Sequence, residues 1–255
     1  MRLVDLSVTI EPDAAFEIYP VTIERRAHER EGLAFFKQAF GVTEADLVWS
    51  EGRGAGDEVL TLLSHSGTHV DAPFHYGPFS EGAPAATIDE LPLEWFYGPG
   101  VVLDLRHKRP RELIEVADLE AALAAIDHAL APLEIVLLQT GCDRKLHTGD
   151  YFEQPGMGRE STLWLVEQGI KVIGIDAFGF DRPFAAMAED FRATGDGSVI
   201  WPAHFAGITR AYCQIEKLAN LDAIGRPHGF TVAAFPTKIE GASAGFARVV
   251  AIVPD

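Results

Sequence analysis

The middle of the chain alternates between short apolar runs and longer amphipathic segments. Apolar runs at 101–105, 135–138 and 172–175 have the composition of strands that are buried on both faces. Between them, residues 116–126 have apolar side chains at helical spacing, which predicts a helix. A second helix is predicted over 161–168, because residue 161 is a serine that can cap it and residue 169 is a glycine that can end it. This strand–helix alternation predicts parallel β/α units, in which helices cover a sheet.

The two ends of the chain are predicted to be richer in strands. Residues 3–10 alternate in part, as a half-buried strand does, and 32–40 predicts a short helix. A strand over 58–64 is expected to deliver the histidine-rich segment that follows it. Further strands are predicted over 214–218, 231–235 and 246–253. We therefore expect one α/β domain over 1–255, with a mixed sheet and outer helices.

Composition predicts a folded protein and limits its partners. Hydrophobic residues make up 47% of the 255 residues, and the formal net charge is −17. Such a charge argues against nucleic acid and anionic membranes as partners. No apolar run approaches the roughly 20 residues that span a bilayer. Asp5, Glu11 and Asp13 lie where a secretory signal would be apolar, so we expect a cytoplasmic location.

Candidate chemistry is concentrated in 64–75, Ser-His-Ser-Gly-Thr-His-Val-Asp-Ala-Pro-Phe-His. His65, His69, Asp71 and His75 offer the ligand types that divalent transition metals accept at neutral pH. A straight strand would hold His65 and Asp71 about 20 Å apart, and a helix would turn Asp71 away from His65 and His69. Since metal–ligand bonds are only about 2 Å long, a shared ion requires the segment to bend.

Two residues of this segment allow the bend. Gly67 permits unusual backbone angles, and Pro73 interrupts either a strand or a helix. The motif therefore predicts a strand end that turns sharply around a divalent ion, with other loops gathered there. Imidazoles and carboxylates suit zinc, manganese or iron, and the ligand types alone do not decide among them.

The pattern His-x-Gly-Thr-His-x-Asp-x-Pro-x-His resembles the signature of the cyclase-type metal-dependent hydrolases. That family includes bacterial kynurenine formamidase, an arylformamidase of tryptophan catabolism, and isatin hydrolase. The resemblance implies that His65, His69 and Asp71 bind metal and that His75 is the catalytic acid/base. It also implies a swivelling β/β/α-type fold and a homodimer or homotetramer.

A second match lies downstream, where His204 and Glu216 stand twelve residues apart and an Asn-Leu pair follows. In two-zinc members of the family, a His and a Glu at this separation bind a second metal, and the resemblance implies the same here. Asp71 could bridge two ions, because a carboxylate has two oxygens. Whether the chain binds one ion or two stays open. If it binds one ion, His204 is a second acid/base or an orienting group.

These residues lead to a hypothesis for the reaction. A bound divalent ion acidifies water and polarises a carbonyl group. His75 can accept a proton from water and pass it to a leaving nitrogen. We therefore expect hydrolysis of an amide-type C–N bond, in a formamide such as N-formylkynurenine or a cyclic amide such as isatin. A lactone or ester on the same site remains an alternative.

Other interpretations and the substrate stay open. Phe74 and Tyr76 flank His75 and are consistent with an aromatic substrate, although most aromatic residues here are expected to pack in the core. Formamidases commonly have Trp-Pro-Gly where this chain has Tyr-Pro-Val at 19–21. A hydrolase with Cys142 as nucleophile would need a nearby base. A non-catalytic metal-binding relative would have no need of His75.

Overall fold

Fifteen strands and six α-helices make up the computed structural model, which describes all 255 residues. The strands are β1 Arg2–Asp5, β2 Thr22–Arg26, β3 Asp57–Thr61, β4 His69–Asp71, β5 Phe79–Ser80, β6 Ala83–Pro84, β7 Tyr97–Asp104, β8 Leu113–Ile114, β9 Ile135–Gln139, β10 Gly156–Met157, β11 Val172–Ile175, β12 Cys213–Glu216, β13 Phe230–Ala233, β14 Ala244–Phe246 and β15 Val250–Val253. The helices are α1 Leu33–Phe40, α2 Pro73–Tyr76, α3 Val116–Ala125, α4 Arg159–Glu167, α5 Phe184–Thr194 and α6 Pro202–Thr209. None of the helices has the length and apolar character needed to cross a membrane.

Nine strands form one mixed sheet in the order β1-β15-β13-β7-β9-β11-β12-β4-β14. The four central strands, β7, β9, β11 and β12, run parallel to their neighbours within this group. Antiparallel strands extend the sheet on both sides, through β13 next to β7 and β4 next to β12. The predicted α/β class with a mixed sheet and outer helices is confirmed.

The parallel centre of the sheet follows from its apolar sequences. Every residue of β9 and β11 is buried, as expected for strands covered on both faces. Helix α3 connects β7 to β9, and α4 connects β9 to β11, which gives the predicted β/α alternation. The core includes Ile135, Leu137, Val172 and Ile215, none more than 1% exposed. Burying a side chain of this size contributes about 1.5–3 kcal/mol.

Two predicted boundaries in the second half of the chain are wrong. Helix α4 begins at Arg159 rather than at 161, and Ser161 lies in its first turn, where its hydroxyl accepts a hydrogen bond from the Gly158 N–H. The strand predicted over 246–253 is two strands, β14 and β15, which lie far apart in the sheet order. The two strands read as one because Ala247 and Val249 in the connection between them are also buried, and only Arg248 is exposed.

The chain divides into two compact units. One unit consists of Met1–Thr9 and Ser64–Asp255 and contains the nine-stranded sheet. The other unit, Ile10–Leu63, contains α1 and a ribbon in which β2 pairs with β3. The expectation of a single domain over 1–255 stays a prediction.

The strand predicted over 58–64 does not carry the histidine motif. Strand β3 ends at Thr61, and it pairs with β2 instead of joining the large sheet. All five of its residues are exposed, so it is not a core strand. The motif has its own strand, β4, which begins at His69 and is entirely buried.

Candidate metal centre

The motif turns at Gly67, which has the left-handed backbone angle φ +61°. After the turn, His69 and Asp71 lie two residues apart on β4 and therefore share one face of the sheet. His65 precedes the turn, and its Nδ1 lies 2.8 Å from Asp71 Oδ1. Thr68 supports the turn, because its hydroxyl donates to the Lys217 carbonyl at 2.6 Å. The predicted sharp bend at Gly67 is present, but it precedes β4 and does not follow a strand over 58–64.

Sheet pairing brings the downstream residues to the same place. Strand β12 runs antiparallel to β4, and Glu216 is the register partner of His69. Glu216 Oε2 lies 3.6 Å from His69 Nε2. His204, in the first turns of α6, has its Nε2 3.6 Å from Glu216 Oε1 and 4.0 Å from Asp71 Oδ2. His65, His69, Asp71, His204 and Glu216 thus form one cluster, although they span much of the chain.

The centre of this cluster contains buried polar atoms that lack well-directed hydrogen bonds. These atoms are His69 Nε2 and both carboxylate oxygens of Asp71, although His65 Nδ1 approaches Asp71 Oδ1 to 2.8 Å. Such atoms are rare in folded proteins because burying them without a partner is costly. Two atoms bound to one ion at about 2.0–2.2 Å lie roughly 3–3.5 Å apart. His69 Nε2 and Asp71 Oδ1 are 3.3 Å apart, so these residues fit a divalent cation.

Three imidazoles are held in a defined orientation. In each, one ring nitrogen faces the cluster and the other contacts an oxygen: Ser243 Oγ for His65 at 2.9 Å, the Gly67 carbonyl for His69 at 2.9 Å, and Asp181 Oδ2 for His204 at 2.5 Å. Such contacts fix the tautomer and the ring plane of metal-binding histidines. The cluster is therefore preorganised by neighbours that are not themselves in its centre.

Asp181 contacts His204 at the border of the cluster, and the sequence does not reveal this contact. It follows β11 by a short loop, a common place for active-site residues. Its carboxylate accepts hydrogen bonds from the backbone N–H groups of Ala203 and His204 at 2.8 and 3.2 Å. It thereby anchors the start of α6 and orients the His204 ring at once. Ser243, the partner of His65, carries no recognisable signal in the sequence.

His75 lies at the edge of the cluster. It belongs to the single turn α2, which Pro73 begins. Its ring centroid is 4.2 Å from that of His65 and 5.5 Å from that of His204. Burial lowers the pKa of His75 to about 4, so its imidazole is neutral at pH 7. The neutral imidazole has a free lone pair that can accept a proton, and burial makes it a weaker base than a free histidine.

The ligand atoms fall into two groups that share Asp71. One group joins His65, Asp71 and His75, and the other joins His69, Asp71 and Glu216; within each, the ligand atoms lie within 4.8 Å of one another. The geometry therefore accommodates one ion or two with Asp71 between them. It also allows His75 to be either a ligand or a proton carrier.

Burial and the two neighbouring carboxylates together favour a positive charge within the cluster. Burial raises the pKa of Glu216, and the neighbouring Asp71 carboxylate raises it further. Burial also opposes ionisation of Asp71, but the His69 and His75 imidazoles hold its pKa well below its usual range. Burial lowers the pKa of His69, yet the Asp71 carboxylate outweighs it and raises this pKa overall. A cation between these groups would satisfy them without added protons.

The alternative nucleophile has the wrong environment. Cys142 is buried, and burial raises the pKa of its thiol to about 11, so little thiolate exists at neutral pH. Nearby Asp176 accepts hydrogen bonds from the backbone N–H groups of Thr140 and Gly141 at 2.7 and 2.8 Å. This carboxylate links the ends of β9 and β11 and is a structural group rather than a base for the thiol.

Comparison with known sequences identifies relatives of this chain. Residues 4–182 match the Cyclase family model, described as "Putative cyclase". A kynurenine formamidase from Maricaulis maris is 30% identical over 213 residues, which cover 80% of this chain and 85% of the relative. Both matches span most of the chain and include the histidine motif.

Comparison with solved structures supports the fold. An isatin hydrolase bound to the product analogue thioisatinate superposes with a TM-score of 0.77 at 22% identity, covering 99% of this chain and 92% of that one. Isatin hydrolase A from Ralstonia solanacearum gives a TM-score of 0.74 at 24% identity, with coverage of 99% and 92%. The fold expected from the motif is confirmed.

Proposed function

The chain belongs to the Cyclase family of metal-dependent hydrolases, and on that premise we propose that it hydrolyses the amide C–N bond of a small aromatic formamide or cyclic amide. The observation that carries this proposal is the buried convergence of His65, His69 and Glu216 on the Asp71 carboxylate, whose oxygens lack well-directed hydrogen bonds. A cation would satisfy these atoms, and the half-buried His75 lies beside them.

We assign metal binding to His65, His69, Asp71, His204 and Glu216. Their support is the convergence of imidazole nitrogens and carboxylate oxygens at 2.8–4.0 Å. A bound divalent ion, for which we propose zinc or manganese, would polarise the substrate carbonyl and acidify water. One ion or two per chain are both compatible with a carboxylate shared at Asp71.

We assign the proton transfers to His75. Hydrolysis adds the oxygen of water to the carbonyl carbon and breaks the C–N bond, and the departing nitrogen must gain a proton. The His75 imidazole takes a proton from water and returns it to that nitrogen. Its place on α2, next to both His65 and His204, puts it at the border between the cluster and the half-exposed aromatic side chains nearby.

The substrate proposal rests on the relatives and on the surroundings of His75. The Maricaulis maris relative is named for kynurenine formamide hydrolysis, and the structural neighbours are named for isatin. The Trp201 ring lies 5.4 Å from the His75 ring, and the Phe184 ring lies 6.2 Å beyond Trp201. Phe184 is 53% exposed, and its ring offers a flat aromatic substrate a surface to pack against.

We also propose that the chain forms a homodimer or homotetramer. Its support is the Ile10–Leu63 unit, whose Phe40 and Trp49 side chains are 66% and 100% exposed. Apolar exposure of this kind marks protein–protein contacts. A second copy of the chain is the partner that the family resemblance implies.

The central experiment measures metal and turnover on the same preparation. The purified chain is analysed for metal per subunit and then assayed with N-formylkynurenine, isatin and an aryl lactone, each after chelation and after restoring Zn²⁺ or Mn²⁺. We expect cleavage of one amide that chelation abolishes. His107→Ala, which changes an exposed histidine, is the matched control for mutation of the motif. Retained turnover without metal, or cleavage of the lactone alone, would contradict the proposal.

A further inference from the structure

Trp201 adopts a backbone conformation that is unusual for a large side chain. Its angles are φ 49° and ψ 45°, in the left-handed region that glycine prefers. Residues other than glycine, asparagine and aspartate pay a steric cost there, and such strain is concentrated at functional sites. Trp201 directly precedes Pro202, the first residue of α6. The contacts of the indole offer a reason for this conformation.

The indole lies flat against His204. The two ring centroids are 4.4 Å apart, and the ring planes differ by only 6°. Asp181 Oδ2 contacts Nδ1 of the same imidazole at 2.5 Å. The carboxylate therefore fixes the direction of the ring edge, and the indole fixes the ring plane, which leaves Nε2 directed at Asp71 and Glu216.

The same indole also contacts the proton carrier. Its centroid is 5.4 Å from that of His75, with an angle of 58° between the planes. The ring centroids of His75 and His204 are 5.5 Å apart, so each of the three rings contacts the other two. Trp201 also packs against Phe184 and Phe205, at centroid distances of 6.2 and 5.9 Å. The indole is therefore held by two further rings while it contacts both histidines.

We propose that Trp201 is a positioning residue, which keeps His204 aimed at the metal centre and His75 aimed at the reacting group. This role rests on the proposed function, because it needs His204 to bind a cation. Trp201 acts through the two imidazoles and not by proton transfer of its own. A flat aromatic ring at position 201 is sufficient for the role, so phenylalanine retains it in part and alanine does not.

The test compares Trp201→Ala and Trp201→Phe with the wild type, and with Trp164→Phe as a control on a different helix. Zn²⁺ or Mn²⁺ affinity is measured by competition with a chromogenic chelator. We expect Trp201→Ala to weaken binding about 10–100-fold, as loss of an orienting neighbour does, and Trp201→Phe to restore most of it. In turnover, kcat falls in Trp201→Ala while KM stays near its wild-type value.

A second readout does not require the alanine variant to fold. Because the indole stacks on His204, cation binding should change the fluorescence of Trp201. We expect a metal-dependent emission change that Trp164→Phe keeps and Trp201→Phe loses. An equal change in Trp201→Phe would overturn the role, as would wild-type metal affinity and kcat in Trp201→Ala. A rise in KM alone would also overturn it, since Trp201 would then be a substrate contact.

The outcomes separate this role from the function on which it rests. A wild-type chain that binds neither Zn²⁺ nor Mn²⁺ would refute the proposed metal-dependent hydrolysis, and the positioning role with it. A wild type that binds metal and turns over, with Trp201→Ala behaving identically, would refute the positioning role alone.

Discussion

His75 is the residue whose two possible roles differ most in their consequences. We expect His75→Ala to lower kcat by about 10²–10⁴-fold, the usual contribution of a general acid/base. Bound metal per chain should stay at the wild-type level, because the other ligand candidates are intact. Elemental analysis and turnover on the same sample check this. Loss of metal together with activity would make His75 a ligand, as its grouping with His65 and Asp71 allows.

Asp181 gives a second prediction for a single residue. Asp181→Asn replaces a carboxylate that accepts from His204 and from two backbone N–H groups. We expect metal affinity to fall about 10–100-fold, because the His204 ring loses its charged partner. Asp190→Asn, which changes an exposed carboxylate paired with Arg182, is the control. Chelator competition at equal protein stability distinguishes this effect from unfolding, and unchanged affinity would rule out the orienting role.

The sequence predicts the candidate metal ligands of the cluster better than the residues that orient them. The spacing of His65, His69 and Asp71 demands a bend, because no regular element brings these residues together. Nothing comparable marks Ser243 or Trp201. Their contacts depend on how β14 and α6 are placed by the sheet, and a single hydroxyl or indole in a sequence has many other possible uses. Ligand types are visible locally, whereas orienting partners are a product of tertiary structure.

Among the elements, α2 and α6 set the distance between His75 and His204. They meet at Gly207, where an added Cβ would lie 2.1 Å from Tyr76 Cδ2. We expect Gly207→Ala to destabilise the protein by about 1–3 kcal/mol, the usual range for overpacking, and to reduce kcat by displacing α6. Gly197→Ala, where the new methyl group meets open space, is the control. Denaturant unfolding and turnover measure both effects, and equal stability of the two variants would contradict this packing.

The central strands are predictable and the outer ones are not, for a physical reason. β9 and β11 are buried on both faces, so their sequences are continuous apolar runs with few other interpretations. At the edges, partners matter more than pattern. β3 directly precedes the histidine motif in the chain but pairs in a separate ribbon, and the run that contains β14 and β15 gives no sign that its two ends join different parts of the sheet.

For the whole molecule, the buried carboxylates predict a large effect of metal on stability. A cation that binds only the folded chain adds about 2.7 kcal/mol when present at 100 times its Kd. In a chain of this size, that raises Tm by roughly 5–10 °C. Scanning calorimetry with chelator, and again with Zn²⁺ or Mn²⁺ restored, measures the shift. Asp71→Asn, which removes the carboxylate common to both ligand groups, should abolish it; equal Tm values for the wild type would contradict metal binding.

The exposed surface of the Ile10–Leu63 unit leads us to expect that the protein forms an oligomer. Its β2–β3 ribbon is exposed along all of β3, and a two-stranded ribbon alone is marginally stable in water. Phe40 and Trp49 expose most of their surface in the same unit. We expect the wild type to sediment as a dimer or tetramer, and Phe40→Ser combined with Trp49→Ser to raise its dissociation constant at least tenfold. Each lost apolar contact removes about 1.5–3 kcal/mol of burial.

The control for this prediction is an equally exposed apolar residue outside the unit. Leu93 is 65% exposed and lies in the part of the chain that contains the sheet, so Leu93→Ser should leave the assembly unchanged. Analytical ultracentrifugation over a wide concentration range compares the three proteins, and calorimetry confirms that each is folded. If the wild type were monomeric at all concentrations, or if Leu93→Ser dissociated it as readily as the double variant, the Ile10–Leu63 unit would not be the contact surface. Because an exposed ribbon gains stability only where something covers it, dissociation should also lower the Tm of the double variant at low protein concentration.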